Sequence, residues 1–169
     1  MSNNNSKFFE SDMPVPPRAP LTTILLAGLG GFCAIATIAL VADFTQAILI
    51  LGSFGASCVI VFALPDTSLA QPRNVIAGHF LSSLTGLVYL YAFGPHWWSL
   101  ALAVGTAIAI MMLTRTVHPP AGSNPVIVFL GMPGWSFLLF PTLCGAVLLV
   151  LVALIYNNFV RKKKYPLYW

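Results

Sequence analysis

Small polar residues interrupt two apolar stretches of the chain, where they could bind a ligand. The two sets are Ser53, Gly55 and Ser57, and Gly122, Ser123 and Asn124. Glycine and proline disturb helical hydrogen bonding, so we predict a short helix near each interruption, with Ser57 or Ser123 and Asn124 as N-cap candidates. Helix N-termini carry free N–H groups and partial positive charge, which favours a small anion at this point. Close helix packing at small residues is the alternative explanation.

Two histidines lie near these interruptions. His79 shares one helical face with Ser82, Ser83 and Gly86, because the four are spaced at i, i+3, i+4 and i+7. Its ring could donate to an anion or carry a proton, or it could equally hydrogen-bond a neighbouring helix. His118 and Ser123 could imitate a nucleophilic Ser/His pair, but no acidic residue is evident to orient the histidine.

Basic and amide side chains lie at the ends of two apolar stretches. Arg73 and Arg115 would draw anions into a vestibule, and Gln71 and Asn74 flank Arg73 with uncharged donors. Asn74 is also a candidate for contact with the substrate. Ordinary anchoring of the stretches by arginine explains the two charges equally well.

The remaining chemistry-bearing residues support no catalytic set. The four acidic residues lie in the N-terminal tail or in loops: Glu10, Asp12, Asp43 and Asp66. The three cysteines are too widely spaced for a zinc pattern or a disulfide framework: Cys33, Cys58 and Cys144. We therefore expect no metal, no cofactor and no enzymatic activity.

The elements that must position these residues are membrane-spanning helices. Hydrophobic residues make up 58% of the chain and charged residues only 7%, so the chain has no solvated shell. A span needs about 20 apolar residues. Five stretches meet this need, and a sixth covers about half a bilayer: residues 21–41, 46–64, 75–93, 97–114 and 136–160, and then residues 123–131. The sequence predicts an all-α transmembrane bundle.

The distribution of basic residues decides how many times the chain crosses. Arg18, Arg73, Arg115 and the basic run 161–164 fall on one side of the membrane only if the chain crosses six times. The short sixth stretch is therefore predicted to cross as a broken helix buried in protein. The predicted regions are a flexible cytoplasmic tail at 1–20, a transmembrane domain at 21–160 and a basic cytoplasmic tail at 161–169. Three tryptophans fit an external aromatic belt: Trp97, Trp98 and Trp135.

An internal repeat indicates two related halves. Residues 55–62 resemble residues 122–129 at an offset of 67, although chance similarity between apolar helices is the alternative. The copies lie in the second and fifth crossings, so each unit contains three helices. Because three is odd, the two units have opposite orientations, as in many transporters.

Two motifs resemble the signatures of the HPP family of membrane proteins. They are residues 69–79 (LAQPRNVIAGH) and residues 116–123 (TVHPPAGS), and the resemblance covers roughly residues 20–160. Members of this family in cyanobacteria and plastids are linked to nitrite transport, so the resemblance implies a nitrite or similar small-anion permease. The motifs fall on the following residues: Gln71, Arg73, Asn74, Gly78, His79, His118, Pro119, Pro120, Gly122 and Ser123.

The combined expectation is a multi-pass protein of the inner (plasma) membrane that carries a small anion, most simply nitrite. The substrate would bind near the midplane between residues 53–57 and 122–124, beside His79. Transport would be passive or proton-linked, with His79 or His118 as the proton carrier. Its partners would be the lipid bilayer and a second copy of itself, and not nucleic acid, because the basic run lies next to an apolar stretch. The alternatives are an intramembrane enzyme using Ser123 and His118 and a structural assembly protein.

Overall fold

The computed structural model describes residues 14–169, and its elements are helical. Helix α1 covers Leu21–Thr45, α2 covers Gly52–Cys58, and α3 covers Pro72–Phe93. A π-helical turn, Val59–Ala63, extends α2, and a 3-10 turn, Ser68–Ala70, precedes α3. This first half holds two long helices with one short helix between them.

The second half has a similar order of elements. Helix α4 covers Trp97–Leu113, and α5 covers Asn124–Gly131 after a 3-10 turn at Pro119–Ser123. The last crossing, Trp135–Val160, has helix α6 (Cys144–Ile155) at its centre. In its first part the chain leaves the helical conformation at Phe140, which is expected of a residue that precedes proline.

The element boundaries repeat with the offset that the sequence predicted. Gly52 and Pro119 begin the short helical segments of the two halves, and they are 67 residues apart. The third crossing of the first half, Pro72–Phe93, corresponds at the same offset to residues 139–160. The predicted arrangement of two three-helix units is confirmed, and three crossings per unit place the second unit in the opposite orientation.

The second crossing has the interruption that was predicted near Gly52, and the part of the stretch before it is not helical. Helix α1 ends at Thr45, and the chain is not helical before Gly52, with Leu51 in an extended conformation. Leu49 and Leu51 are buried there. Non-helical backbone is tolerated at membrane depth when protein surrounds it, which is why this apolar run need not be a helix. The short fifth crossing was predicted to be broken, and this prediction is confirmed.

The bundle has a basic end and a tryptophan end. At the basic end, Arg73 donates to the carbonyl of Thr114 (3.0 Å), and Lys163 forms an ion pair with Asp66 (3.2 Å). At the tryptophan end, the ring of Tyr91 stacks on Trp135 with centroids 5.2 Å apart. Within residues 14–169, three helical segments are long and apolar enough to cross a membrane: Leu21–Thr45, Pro72–Phe93 and Trp135–Val160. The fold is therefore a polytopic helical membrane bundle.

Candidate functional site

A buried serine bridges two buried histidines at the centre of the bundle. Ser57 Oγ lies 2.9 Å from His79 Nε2 and 2.8 Å from His118 Nε2. The two ring centroids are 5.1 Å apart, and none of the three residues is accessible to solvent. Helices α2 and α3 and the segment before α5 therefore meet at this serine.

In each ring, the hydrogen-bond partner of Nδ1, the nitrogen that faces away from Ser57, determines which nitrogen carries the proton when the ring is neutral. His118 Nδ1 lies 2.8 Å from the carbonyl of Leu69, which can only accept, so Nδ1 carries the proton. His79 Nδ1 lies 3.0 Å from Asn124 Nδ2, which can only donate, so Nδ1 is bare and Nε2 carries the proton. The orientation of the Asn124 amide is supported because Nδ2 also donates to the carbonyl of His79 (3.2 Å). His79 therefore donates to Ser57, which donates to His118.

The network continues from Asn124 into the last crossing. Asn124 Nδ2 lies 2.9 Å from Ser83 Oγ, and Thr142 donates to the same oxygen at 3.2 Å. Ser82 donates to the carbonyl of Ala121 at 2.6 Å. The spacing of the serines predicted the polar face of α3. Thr142 was not predicted, because its only signal was a hydroxyl beside a proline in an apolar stretch.

The repeat explains why Ser57 and Asn124 both contact His79. These residues occupy equivalent positions in the two short helices, 67 residues apart. The equivalents of His79 and His118 are the apolar Ala146 and Leu51, both in the buried interior. The repeat therefore has histidines at one pair of equivalent positions and apolar residues at the other pair.

Of the three predicted N-cap residues, only Ser123 occupies an N-cap position. Helix α2 begins at Gly52, so Ser57 lies inside it, and Asn124 is the first helical residue of α5. Both side chains bond within the network instead. Ser123 occupies the N-cap position of α5, but its hydroxyl donates to the carbonyl of Pro120 (2.8 Å) and caps no backbone N–H. The 3-10 turn before α5 supplies that carbonyl, so the hydroxyl is already used.

The two interruptions border one cavity of about 540 Å³. Its lining comes from the start of α2 and from the turn before α5: Gly52, Ser53, Ala56, Val59, Ile60, Pro119, Pro120 and Ser123. Ser53 is 3% exposed, and its hydroxyl has no hydrogen-bond partner within residues 14–169. A buried hydroxyl without a hydrogen-bond partner destabilises the folded state, and a ligand in the cavity could supply the missing hydrogen bond.

The two helix starts contribute unequally to this cavity. At α2, the first bonded N–H is that of Phe54, which donates to the carbonyl of Leu51 (3.0 Å), so the N–H groups of Gly52 and Ser53 are donors without a partner among the described residues. At the second interruption Pro119 and Pro120 have no N–H, and Ala121 donates to the carbonyl of His118 (2.9 Å). Two equivalent helix N-termini were predicted at this cavity. In the structure, the start of α2 offers more backbone N–H donors than the turn before α5.

The two glycines of the predicted substrate site face open space. A Cβ atom at Gly55 or Gly122 would meet no heavy atom within 4 Å in the described chain. Gly55 is exposed and Gly122 is half-buried. Neither glycine is therefore needed for close packing within a single copy.

Two of the predicted vestibule residues, Gln71 and Arg115, have different roles in the structure, and Asn74, which was predicted to contact the substrate, lies beside Arg115. Asn74 and Arg115 line a second, smaller cavity of about 220 Å³ at the basic end, together with Leu69 and Tyr168. Gln71 is instead fully buried: Nε2 donates to the carbonyls of residues 65 (3.0 Å) and 67 (2.8 Å), and Oε1 accepts from the N–H of residue 167 (2.8 Å). Gln71 holds the backbone together and faces no vestibule.

The contact between Ser123 and His118 that an enzyme would require is not formed. His118 bonds to Ser57 and Leu69, whereas the hydroxyl of Ser123 is bonded to Pro120. The chain turns through the 3-10 segment between these residues, which places their side chains in different surroundings.

The chain is a bundle of apolar helices with a polar centre and a partly open cavity. This architecture is that of a polytopic membrane protein. The family model for the transmembrane region of HPP proteins matches residues 16–166, so the chain belongs to the HPP family. It is 40% and 37% identical to two transmembrane proteins of Dictyostelium discoideum, in each case over 91% of this chain. It spans only 58% and 53% of the length of those relatives. No solved structure matches the chain significantly.

Proposed function

We propose that this protein is a permease for a small monovalent anion, with nitrite as the favoured substrate. The observation that carries the proposal is the cavity between the two helix interruptions, where the buried hydroxyl of Ser53 has no partner in the described chain. A donor set without a formal charge suits an anion that must bind and then leave.

The chemistry of the cavity favours a small acceptor. The free N–H groups at the start of α2 carry partial positive charge, and the Ser53 hydroxyl adds a further donor. Nitrite presents two acceptor oxygens in one plane and carries a single negative charge. Its choice among small anions rests on the resemblance to HPP proteins of cyanobacteria and plastids and is part of the proposal.

The buried position of Ser57 supports transport over catalysis. Ser57 contacts both His79 and His118, yet all three residues are fully buried and none of them lines the cavity. A nucleophile must reach its substrate, which this arrangement does not allow. The same proposal includes three further statements: the protein lies in the inner (plasma) membrane, both chain ends are cytoplasmic, and the chain self-associates.

Filling the cavity tests the proposal. Gly52 lines it and has free space beyond its Cα atom, so Gly52→Leu would fold and narrow the path. We expect nitrite influx into liposomes holding the full chain to fall at least tenfold. Gly105→Leu is the matched control, because Gly105 is exposed on α4 and also has free space around it. Equal influx in both variants, or no influx in the unchanged protein above protein-free vesicles, would contradict the proposal.

Removing the unpartnered hydroxyl gives a second measurement at the same site. Ser53→Ala deletes one donor, and a hydrogen bond to a charged group contributes about 1.5–3 kcal/mol, so the apparent nitrite affinity should fall roughly tenfold or more. Ser99→Ala is the control: Ser99 is equally buried, but it bonds to the carbonyl of Tyr89 away from the cavity. An unchanged affinity in Ser53→Ala would remove Ser53 from the site.

A further inference from the structure

The hydroxyl of Ser57 has more neighbours than it has protons. Its oxygen lies 2.9 Å from His79 Nε2, 2.8 Å from His118 Nε2 and 3.0 Å from the carbonyl oxygen of Ser53. A hydroxyl has one proton and two acceptor lone pairs. It can therefore donate to His118 or to Ser53, but not to both at once.

We propose that the histidine pair is a binding site for one exchangeable proton, and that this proton accompanies the transported anion. In the unloaded state His79 donates to Ser57, and Ser57 donates to bare Nε2 of His118. In the loaded state Nε2 of His118 carries the new proton and donates to Ser57. The hydroxyl proton of Ser57 then turns to the carbonyl of Ser53.

Both states use the heavy-atom positions already present. In the loaded state the two lone pairs of Ser57 Oγ accept from His79 and His118, and its proton is held by Ser53 at 3.0 Å. His118 Nδ1 donates to Leu69 in either state. The reaction forms one N–H bond at His118 Nε2 and releases one water from hydronium, so protons and charge balance. No buried donor or acceptor of the three side chains loses its partner.

The surroundings limit the pair to one proton. The groups that face the two rings are uncharged: Ser57 from α2, Asn124 from α5, the carbonyl of Leu69 and the edge of Phe54. No Asp, Glu, Lys or Arg of residues 14–169 is hydrogen-bonded to either ring. The two centroids are 5.1 Å apart, so a second positive charge would be repelled by the first.

Ser53 connects the proton to the anion. Its carbonyl accepts from Ser57 when the proton is bound, and the same residue lines the cavity proposed for the anion. His118 bonds to Ser57, which lies one helical turn from the lining residue Ser53, so a positive charge on His118 attracts a negative substrate in the cavity. Binding one proton with one anion keeps the central charge neutral. This coupling rests on the proposed permease function, whereas the proton site itself does not.

The outer nitrogen of His118, Nδ1, connects the histidine pair to the basic end of the molecule. His118 Nδ1 is bonded to the carbonyl of Leu69, and Leu69 lines the 220 Å³ cavity that Arg115 and Tyr168 also border. Nδ1 keeps its proton in both states, so this bond holds the ring of His118 in place while the proton on Nε2 exchanges.

Nitrogen NMR on the unchanged protein tests the proton site without any transport assay. The chain has three histidines, and His96 is exposed at the tryptophan end, so it serves as an internal reference for a solvated ring. In lipid vesicles at alkaline pH, ¹⁵N-histidine labelling should show His118 protonated at Nδ1 and His79 protonated at Nε2. Acidification should convert one ring of the pair, His118, to the doubly protonated form. The opposite tautomers, or two charged rings at once, would overturn the proposal.

Coupling is tested by measuring proton and nitrite movement in the same liposomes. A pH-sensitive dye inside the vesicles should report one proton taken up per nitrite, after correction for nitrous acid diffusion in protein-free vesicles. Ser57→Ala removes the bridge, so nitrite-driven proton uptake should fall to the protein-free level. Ser57→Thr keeps a hydroxyl and should retain uptake, and Ser99→Ala should match the unchanged protein.

The NMR and liposome experiments distinguish the proposed permease function from the proposed proton site. Nitrite influx without proton uptake, or full uptake in a folded Ser57→Ala variant, would overturn the coupling and leave the permease function intact. Absence of nitrite influx together with the expected tautomers would overturn the permease function and the coupling, but would support the proton site.

Discussion

At the residue scale, close backbone approaches determine where the histidines lie. A Cβ atom at Gly78 would come within 2.9 Å of His118 Cβ and 3.0 Å of the carbonyl oxygen of Thr116. Its equivalent in the other half, Gly145, makes a close approach to the carbonyl of Leu49. Gly78 and Gly145, like Leu49 and Thr116, are 67 residues apart, so the repeat extends to single contacts between the halves.

Gly78→Ala should destabilise the bundle. The added methyl group meets a backbone carbonyl that cannot turn aside, and overpacking of this kind costs about 1–3 kcal/mol. We expect a lower midpoint of thermal unfolding in detergent, followed by circular dichroism. Gly28→Ala is the matched control, because a Cβ atom there meets nothing within 4 Å in the described chain. Equal midpoints for the two variants would show that the contact at Gly78 relaxes at no cost.

At the element scale, the C-terminal segment is part of the folded bundle. Tyr165 is 2% exposed and donates to the carbonyl of Ala70 (2.7 Å), and Tyr168 donates to Asn74 Oδ1 (3.1 Å). Burial raises the pKa of Tyr165, so its phenol stays protonated and keeps donating. The basic run at 161–164 is still predicted to attract anionic lipid, and Tyr168 after it lines the smaller cavity at the basic end.

Gln71→Ala should release this segment. The substitution leaves the backbone groups of residues 65, 67 and 167 without their buried partner, at about 1–3 kcal/mol for each group left unsatisfied. Carboxypeptidase should then remove the C-terminal residues at least tenfold faster, as followed by mass spectrometry. Gln46→Ala is the control, since Gln46 makes a single exposed bond to the carbonyl of Asp43. An unchanged digestion rate would show that the tyrosines hold the segment by themselves.

At the scale of the whole molecule, the charges separate the two ends. Arg73, Arg115 and Lys163 lie at one end, and the tryptophan-bearing loops lie at the other. Lysine and arginine in short loops favour the cytoplasm, so we predict that the basic end faces inward.

Labelling of single cysteines tests this orientation. In a variant whose native cysteines are replaced by alanine, W97C should react with a membrane-impermeant maleimide on intact cells, and K164C should not. Both positions are exposed, so both should react once detergent opens the membrane. Reaction of K164C on intact cells would mean that the chain is inserted the other way round.

The sequence alone determined the properties that depend on local chemistry. Apolar length predicted the crossings, glycine and proline predicted the interruptions at Gly52 and Pro119, and the motifs identified the family. The sequence did not predict that residues 46–51 before the first interruption are non-helical, because hydropathy does not distinguish a helix from extended chain buried in protein.

Only the tertiary structure decided which side chains meet. Ser57 and His118 are 61 residues apart, and no spacing rule relates residues on different elements. The sequence suggested Ser123 as the partner of His118, and it could not show that Gln71 turns inward or that Thr142 reaches Ser83. The packing of α2, α3 and α5 sets these contacts, because each polar group buried in an apolar bundle must find its partner on another element.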